Sequence, residues 1–126
     1  MFINLSNHKS TGWSPEQLQA AKELGGEVRD FSFPNVPPNY TSYEVYHLAQ
    51  SIVRDVIGTL KSSNDKDNAI MVQGEFSLTV AIVGFLRKED ILMVVSTSER
   101  TVEEEVLPDG STVKKSVFKF VQFREI

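Results

Sequence analysis

The sequence predicts an α/β protein, with a mostly parallel sheet, helices on both sides and a β-hairpin at the C-terminal end. Three observations carry this reading. Short apolar runs at Phe2–Leu5, Ala69–Val72 and Ile91–Val95 have the continuous hydrophobicity of strands covered on both faces. Between them lie segments with helix-start signals and helical spacing. The tail has strand composition around a single turn and contains no further helix.

The first run is strand one. Ser14-Pro15-Glu16-Gln17 then announces a helix: serine can cap, proline suits the first helical position, and glutamine completes a capping box. Trp13 and Leu18 sit at the positions of a hydrophobic staple, and Leu18, Ala21 and Leu24 give the helix its buried side. Gly25-Gly26 ends it. Val28–Phe33 alternates and reads as strand two. Pro34, Pro37 and Pro38 then forbid regular structure. Thr41-Ser42-Tyr43-Glu44 is a second capping box. The apolar positions from Val45 to Leu60 form the clearest amphipathic helix in the chain. Ala69–Val72 is strand three and Gly74 breaks it. Phe76–Leu86 is apolar nearly all round, and its length and place between two strands predict a buried helix. Ile91–Val95 is strand four.

Thr101–Leu107, Pro108-Asp109-Gly110 and Thr112–Ile126 read as the hairpin. Val117, Phe118, Phe120, Val121 and Phe123 put apolar groups on both faces of its second strand. No helix remains to cover them, so a second copy of the chain is the expected cover.

The order β-α-β-α-β-α-β plus a hairpin predicts a three-layer Rossmann-like sandwich, with residues 1–126 as a single domain. Right-handed crossovers place strands one and three side by side, with strand two outside strand one. Connections leave strands one and three in opposite directions. Open α/β sheets bind ligands at that switch point, at the C-terminal strand ends.

Composition narrows the function. The 126 residues carry a net charge of −4, which argues against duplex nucleic acid because that ligand demands a basic face. A small anion in one pocket stays possible. There is no cysteine, so disulfide and thiolate chemistry are excluded. The two histidines, His8 and His47, form no metal-ligand pattern, and neither metal nor cofactor is expected. The start of the chain lacks the features of a secretory leader, and no apolar stretch reaches membrane-spanning length. The expectation is a cytoplasmic protein without membrane contact.

Three segments should meet at the switch point. Ser6, Asn7 and His8 follow strand one. Gln73, Gly74 and Glu75 follow strand three. Ser96, Thr97, Ser98, Glu99 and Arg100 follow strand four. Gly74 admits either a ligand or another part of the chain close to the backbone, and the amides after it could face a phosphate. Glu75 would repel an anion or bind a ribose hydroxyl. Arg100 could grip a phosphate, or pair with Glu103 or Glu104 on the surface. The hydroxyls of Ser96, Thr97 and Ser98 suit phosphate or sugar, or merely end a strand. His8 could move protons near neutral pH, or simply close a loop. Glu103, Glu104 and Glu105 read as a solvated hairpin face.

On this architecture, Asn4–His8, Gln73-Gly74-Glu75 and Ser96-Thr97-Ser98-Glu99-Arg100 resemble the CRISPR-associated Rossmann-fold (CARF) proteins in a minimal, stand-alone form. The resemblance spans the chain in architecture and these segments in motif. It implies a homodimer that binds a cyclic oligoadenylate across its two-fold axis, at the C-terminal strand ends. With no room for an effector domain, the implied role in antiviral signalling is to cleave the messenger as a ring nuclease or to sequester it as a sponge. Cleavage of this type needs no metal: the ribose 2′-hydroxyl attacks the neighbouring phosphorus and leaves a cyclic phosphate. The protein must hold that hydroxyl in line and stabilise the developing charge. On this reading Ser6, Asn7, Gln73, Gly74, Glu75, Ser96 and Ser98 bind the ligand, and His8, Thr97 and Arg100 are the catalytic candidates. The three segments contain no lysine, so Arg100 would supply the positive charge against Glu75 and Glu99. That balance favours modest catalysis or binding alone. Two other functions stay open: a non-catalytic interaction or regulatory domain, and a small enzyme acting on another nucleotide or phosphoester.

Overall fold

The N-terminal strand is the most deeply buried in the molecule. In the computed structural model, which describes residues 1–126, β1 (Phe2–Ser6) is buried at every residue. It pairs in parallel with β2 (Val28–Ser32) on one side and β3 (Ala69–Gln73) on the other. β4 (Leu92–Val106) pairs in parallel with β3, and β5 (Thr112–Glu125) runs antiparallel to β4. The order is β2-β1-β3-β4-β5. The expected fold class, strand neighbours and switch point between β1 and β3 are all present. No helix is long and apolar enough to cross a membrane.

Side-chain alternation along the strands feeds two cores. Ile3, Leu5, Ile70, Val72 and Met93 face α2 (Ser42–Ser62) and α3 (Phe76–Leu86). Phe2, Ala69, Met71 and Val94 face the other way, toward Ala21 of α1 (Pro15–Gly25). α1 ends at Gly26, whose φ of 78° is the left-handed region that glycine tolerates.

The helix starts differ in detail from expectation. At Thr41 the capping box is complete, with Glu44 N donating to the threonine hydroxyl and Glu44 Oε1 accepting from Thr41 N. At Ser14 only half is made: Ser14 Oγ accepts from Gln17 N at 3.2 Å, and Gln17 makes no return bond. Trp13, at the staple position, also reaches the strands. Trp13 packs edge-on against Phe2 at 6.0 Å between ring centroids and lies 6.1 Å from Phe123. A large aromatic buries more surface between β1 and β5 than against one leucine.

Two elements depart further. α3 is buried on one side only: Leu78, Ile82 and Leu86 are fully buried, whereas Phe76 is 80% and Val80 55% exposed. α2 flanks α3, but no element covers its outer side. β4 does not stop at Val95. It continues as one strand to Val106 because β5 supplies hydrogen-bond partners along its whole length. Ser96–Arg100 therefore lie within a strand, not in a loop after one. Beyond the register partner of Gln73, residues 98–106 and 112–120 leave the sheet as a two-stranded arm.

Ile82 sits where α3 meets the sheet. Ile82→Ala should lower the unfolding free energy by about 2–5 kcal/mol, whereas Val80→Ala, on the opposite, exposed side of the same helix, should change it by less than about 0.5 kcal/mol. Urea denaturation of both variants checks this.

Candidate functional site

A cleft of about 880 Å3 opens on the α1 face of the sheet, at the C-terminal ends of β1 and β3 and beside the middle of β4. Ser6, Asn7 and His8 line it from β1, Gln73 and Gly74 from β3, and Ser96, Thr97 and Ser98 from β4. These segments are far apart in sequence, and the parallel pairing of β1, β3 and β4 brings them together.

The loop after β1 forms one wall, and a buried polar network holds it. Asn4 is 1% exposed, on a strand with no water on either face. Its Nδ2 donates to His8 O and to Asp30 Oδ1, both at 2.8 Å. Its Oδ1 accepts from Ser6 Oγ at 2.7 Å. Ser6 Oγ in turn accepts from His8 N at 3.2 Å. Asp30 also accepts from Ser10 N and from Ser10 Oγ. Every polar atom of the Asn4 side chain is thus used. The result is a loop folded back over the sheet's end, with His8 and Lys9 at the cleft.

Gly74 meets a side chain of the protein's own. A methyl group added there would lie 2.5 Å from the Phe33 ring, so the glycine is required by packing alone. Glu75 does not face the cleft. Its carboxylate caps α3, accepting from Leu78 N at 2.8 Å and Ser77 N at 3.1 Å. The Leu78 amide, followed by the Ser77 hydroxyl, holds its pKa below the usual glutamate range. Those amides are therefore occupied and are not free for a phosphate. Gln73 Oε1 accepts from Ser96 N at 3.0 Å and Ser96 Oγ at 2.9 Å, which ties β3 to β4 on the cleft floor. Thr97 Oγ1 donates to Gln122 O and accepts from Gln122 N, closing the β-bulge where the β4–β5 register shifts.

Arg100 is not part of the lining. It lies on the arm, where Nε and Nη2 donate to Ser116 Oγ at 3.3 and 3.0 Å. The cation at the cleft is Lys9, one residue past the segment singled out from the sequence. Nothing local marks where that loop turns away, so only the Asn4–His8 bond reveals that Lys9 stays close. Trp13, Gln17, Phe118 and Phe120 complete the mouth and outer wall. Trp13 reads locally as a staple, and the two phenylalanines as hairpin residues.

The electrostatics follow from this inventory. None of the chain's 17 aspartates and glutamates lines the cleft, in a protein of net charge −4. Lys9 and His8 are its titratable groups. With one imidazole and no carboxylate, the lining lacks a donor set for a divalent metal.

Asn4→Ala should cost about 1–3 kcal/mol by leaving the Ser6 and Asp30 groups short of partners, and amide hydrogen exchange should quicken selectively across residues 7–12. Gly74→Ala should cost about 1–3 kcal/mol through overpacking. A double-mutant cycle with Phe33→Ala should recover most of that loss; an unchanged penalty would show that the Phe33 ring is not its cause.

No curated protein and no solved structure matches the chain. One family model does, over residues 1–124. The chain belongs to the family described as "Uncharacterized protein MJ1673 family".

Proposed function

We propose that the cleft binds a small anionic nucleotide, and that this ligand is a cyclic oligoadenylate. The observation that carries the reading is the charge and chemistry of the lining. An acidic protein keeps every carboxylate out of this cleft while placing Lys9 and His8 in it, beside hydroxyl and amide side chains and three aromatic rings. Phosphate calls for the cation, ribose for the hydroxyls and amides, and a base for an aromatic surface. The location at a switch point of a parallel sheet supports the same reading. The resemblance to CARF proteins supplies the cyclic oligoadenylate as ligand class and a second copy of the chain as partner.

If the ring is cleaved, the chemistry is transfer of phosphorus to the ribose 2′-oxygen. His8 is the group at the cleft able to take the 2′-proton or return one to the leaving 5′-oxygen. Lys9 would take the role of charge stabilisation first considered for Arg100. Binding without cleavage is the second reading. It is favoured by the engagement of Thr97 with the β5 backbone and of Arg100 with Ser116, which leaves His8 alone among the three catalytic candidates with its side chain uncommitted at the cleft.

The test is incubation with cyclic tetra- and hexa-adenylate in EDTA, with products read by liquid chromatography and mass spectrometry. Binding is followed in parallel by the fluorescence of Trp13, the one tryptophan of the chain. Binding should quench or shift that emission, and Lys9→Ala should weaken affinity by about ten- to a hundred-fold, as loss of a charge-assisted contact does. Linear products ending in a cyclic phosphate, lost in His8→Ala, would establish the nuclease. Binding with no product would establish the sponge. Neither binding nor product would overturn the reading.

A further inference from the structure

Several polar side chains of the cleft are already spent. The hydroxyls of Ser6, Ser96 and Thr97 and the Oε1 of Gln73 bond within the protein. Most of the lining side chains that make no bond, His8 and Lys9 among them, belong to the loop after β1. Gln17 is the exception on α1. Local sequence assigns its carboxamide to a capping box, and the structure gives it no such use. Ser14 Oγ accepts from the backbone N of Gln17 at 3.2 Å, so the helix start is made without the side chain. The carboxamide is half-buried, bonds to nothing in the protein and lines the cleft.

Trp13 stands four residues before it and lines the same cleft. Its ring is fixed against Phe2 and Phe123, at 6.0 and 6.1 Å between centroids. The start of α1 thus offers an aromatic surface and an uncommitted amide together. A carboxamide presents a donor and an acceptor side by side. Adenine answers with its 6-amino group and the ring nitrogen next to it, and glutamine pairs with that pattern through two hydrogen bonds. Guanine fits less well. One of its edges carries two acceptors, and the other carries an additional donor, the 2-amino group, that one carboxamide leaves unpaired. Two adjacent donors call for a carboxylate, and none lines the cleft.

We infer that Gln17 is the base-reading residue of the cleft, pairing through its carboxamide with the 6-amino group and adjacent ring nitrogen of an adenine that lies against Trp13. The inference rests on the reading of the cleft as a nucleotide site. It adds the base that is selected and the side chain that selects it, and it holds for a linear adenine nucleotide as well as for a ring. Phosphate then lies toward Lys9 and the loop after β1.

Two pairs of probes test it. Cyclic tetra-adenylate is compared with the same ring built from purine riboside, which lacks the 6-amino group. Adenosine 5′-monophosphate is compared with purine riboside 5′-monophosphate. Dissociation constants are read by isothermal titration calorimetry. The unmodified chain should prefer the adenine member of a pair by about tenfold. Gln17→Ala should bind both members equally. Gln17→Met, which keeps the length of the side chain and loses its hydrogen bonds, should do the same. Thermal melting should leave both variants close to the original, since the Ser14 bond to the Gln17 backbone remains. A preference for adenine that survives in both variants would overturn the inference. So would an original chain that binds both members equally. Either result leaves ring binding, and with it the proposed function, standing. Adenosine monophosphate held through Gln17, with no binding of the ring, would do the reverse and remove the cyclic ligand while keeping the base reader. Binding of none of the four would overturn both.

Discussion

A polar side chain in the most buried strand governs the site. Asn4 lies on β1 between two layers of helix, where an unpaired amide would cost several kcal/mol. Its partners come from outside the strand: Asp30 on β2, and the carbonyl of His8 in the following loop. Satisfying that amide requires the loop to turn back over the end of the sheet. Asp30 then reaches Ser10 and holds the next turn as well. The wall of the cleft, and the place of His8 and Lys9 in it, follow from this one burial. The remaining polar network is arranged in the same way, with Gln73 bonding Ser96 across the floor.

The charge of the cleft is set by where the carboxylates are used. Asp30 is committed to the loop, and Glu75 to the first turn of α3. Glu99, Glu103 and Glu104 lie on the arm across from Lys119, Lys115 and Lys114, away from the lining. An overall negative protein thus presents a locally basic cleft. Net charge sets the field of the whole surface, whereas a small ligand meets the charge of the cleft.

The arm and the cleft are one continuous feature. β4 passes the cleft as a strand and carries on past the sheet, and β5 returns to place Phe120 and Phe123 on the α1 side, 5.0 Å apart between ring centroids. Phe123 in turn packs 5.0 Å from Phe2, so the returning strand is anchored in the core under α1. The bulge at Thr97 and Ser98 marks the transition from anchored sheet to projecting arm. Its irregular step consumes the Thr97 hydroxyl, which explains how a residue can border the cleft and still have its polar group turned to the backbone.

The sequence by itself determined the order of elements, their parallel arrangement and the switch point. These rest on local signals: the apolar runs of β1 and β3, the capping box at Thr41, the spacing from Val45 to Leu60, and the fixed hand of β-α-β crossovers. It also placed Ser6, His8, Gln73 and Ser96 at one sheet end, because topology carries strand ends together whatever their side chains do. Only the tertiary structure decided the rest. That Lys9 stays at the cleft depends on a bond between Asn4 and the His8 carbonyl, which no periodicity records. That Arg100 leaves it depends on β4 pairing with β5 through a polar stretch that looks like a loop in isolation. That Trp13 serves the cleft mouth depends on Phe123, more than a hundred residues away in sequence. Backbone pattern is written locally in a chain, whereas the partner of a polar or aromatic side chain is fixed only when distant segments meet.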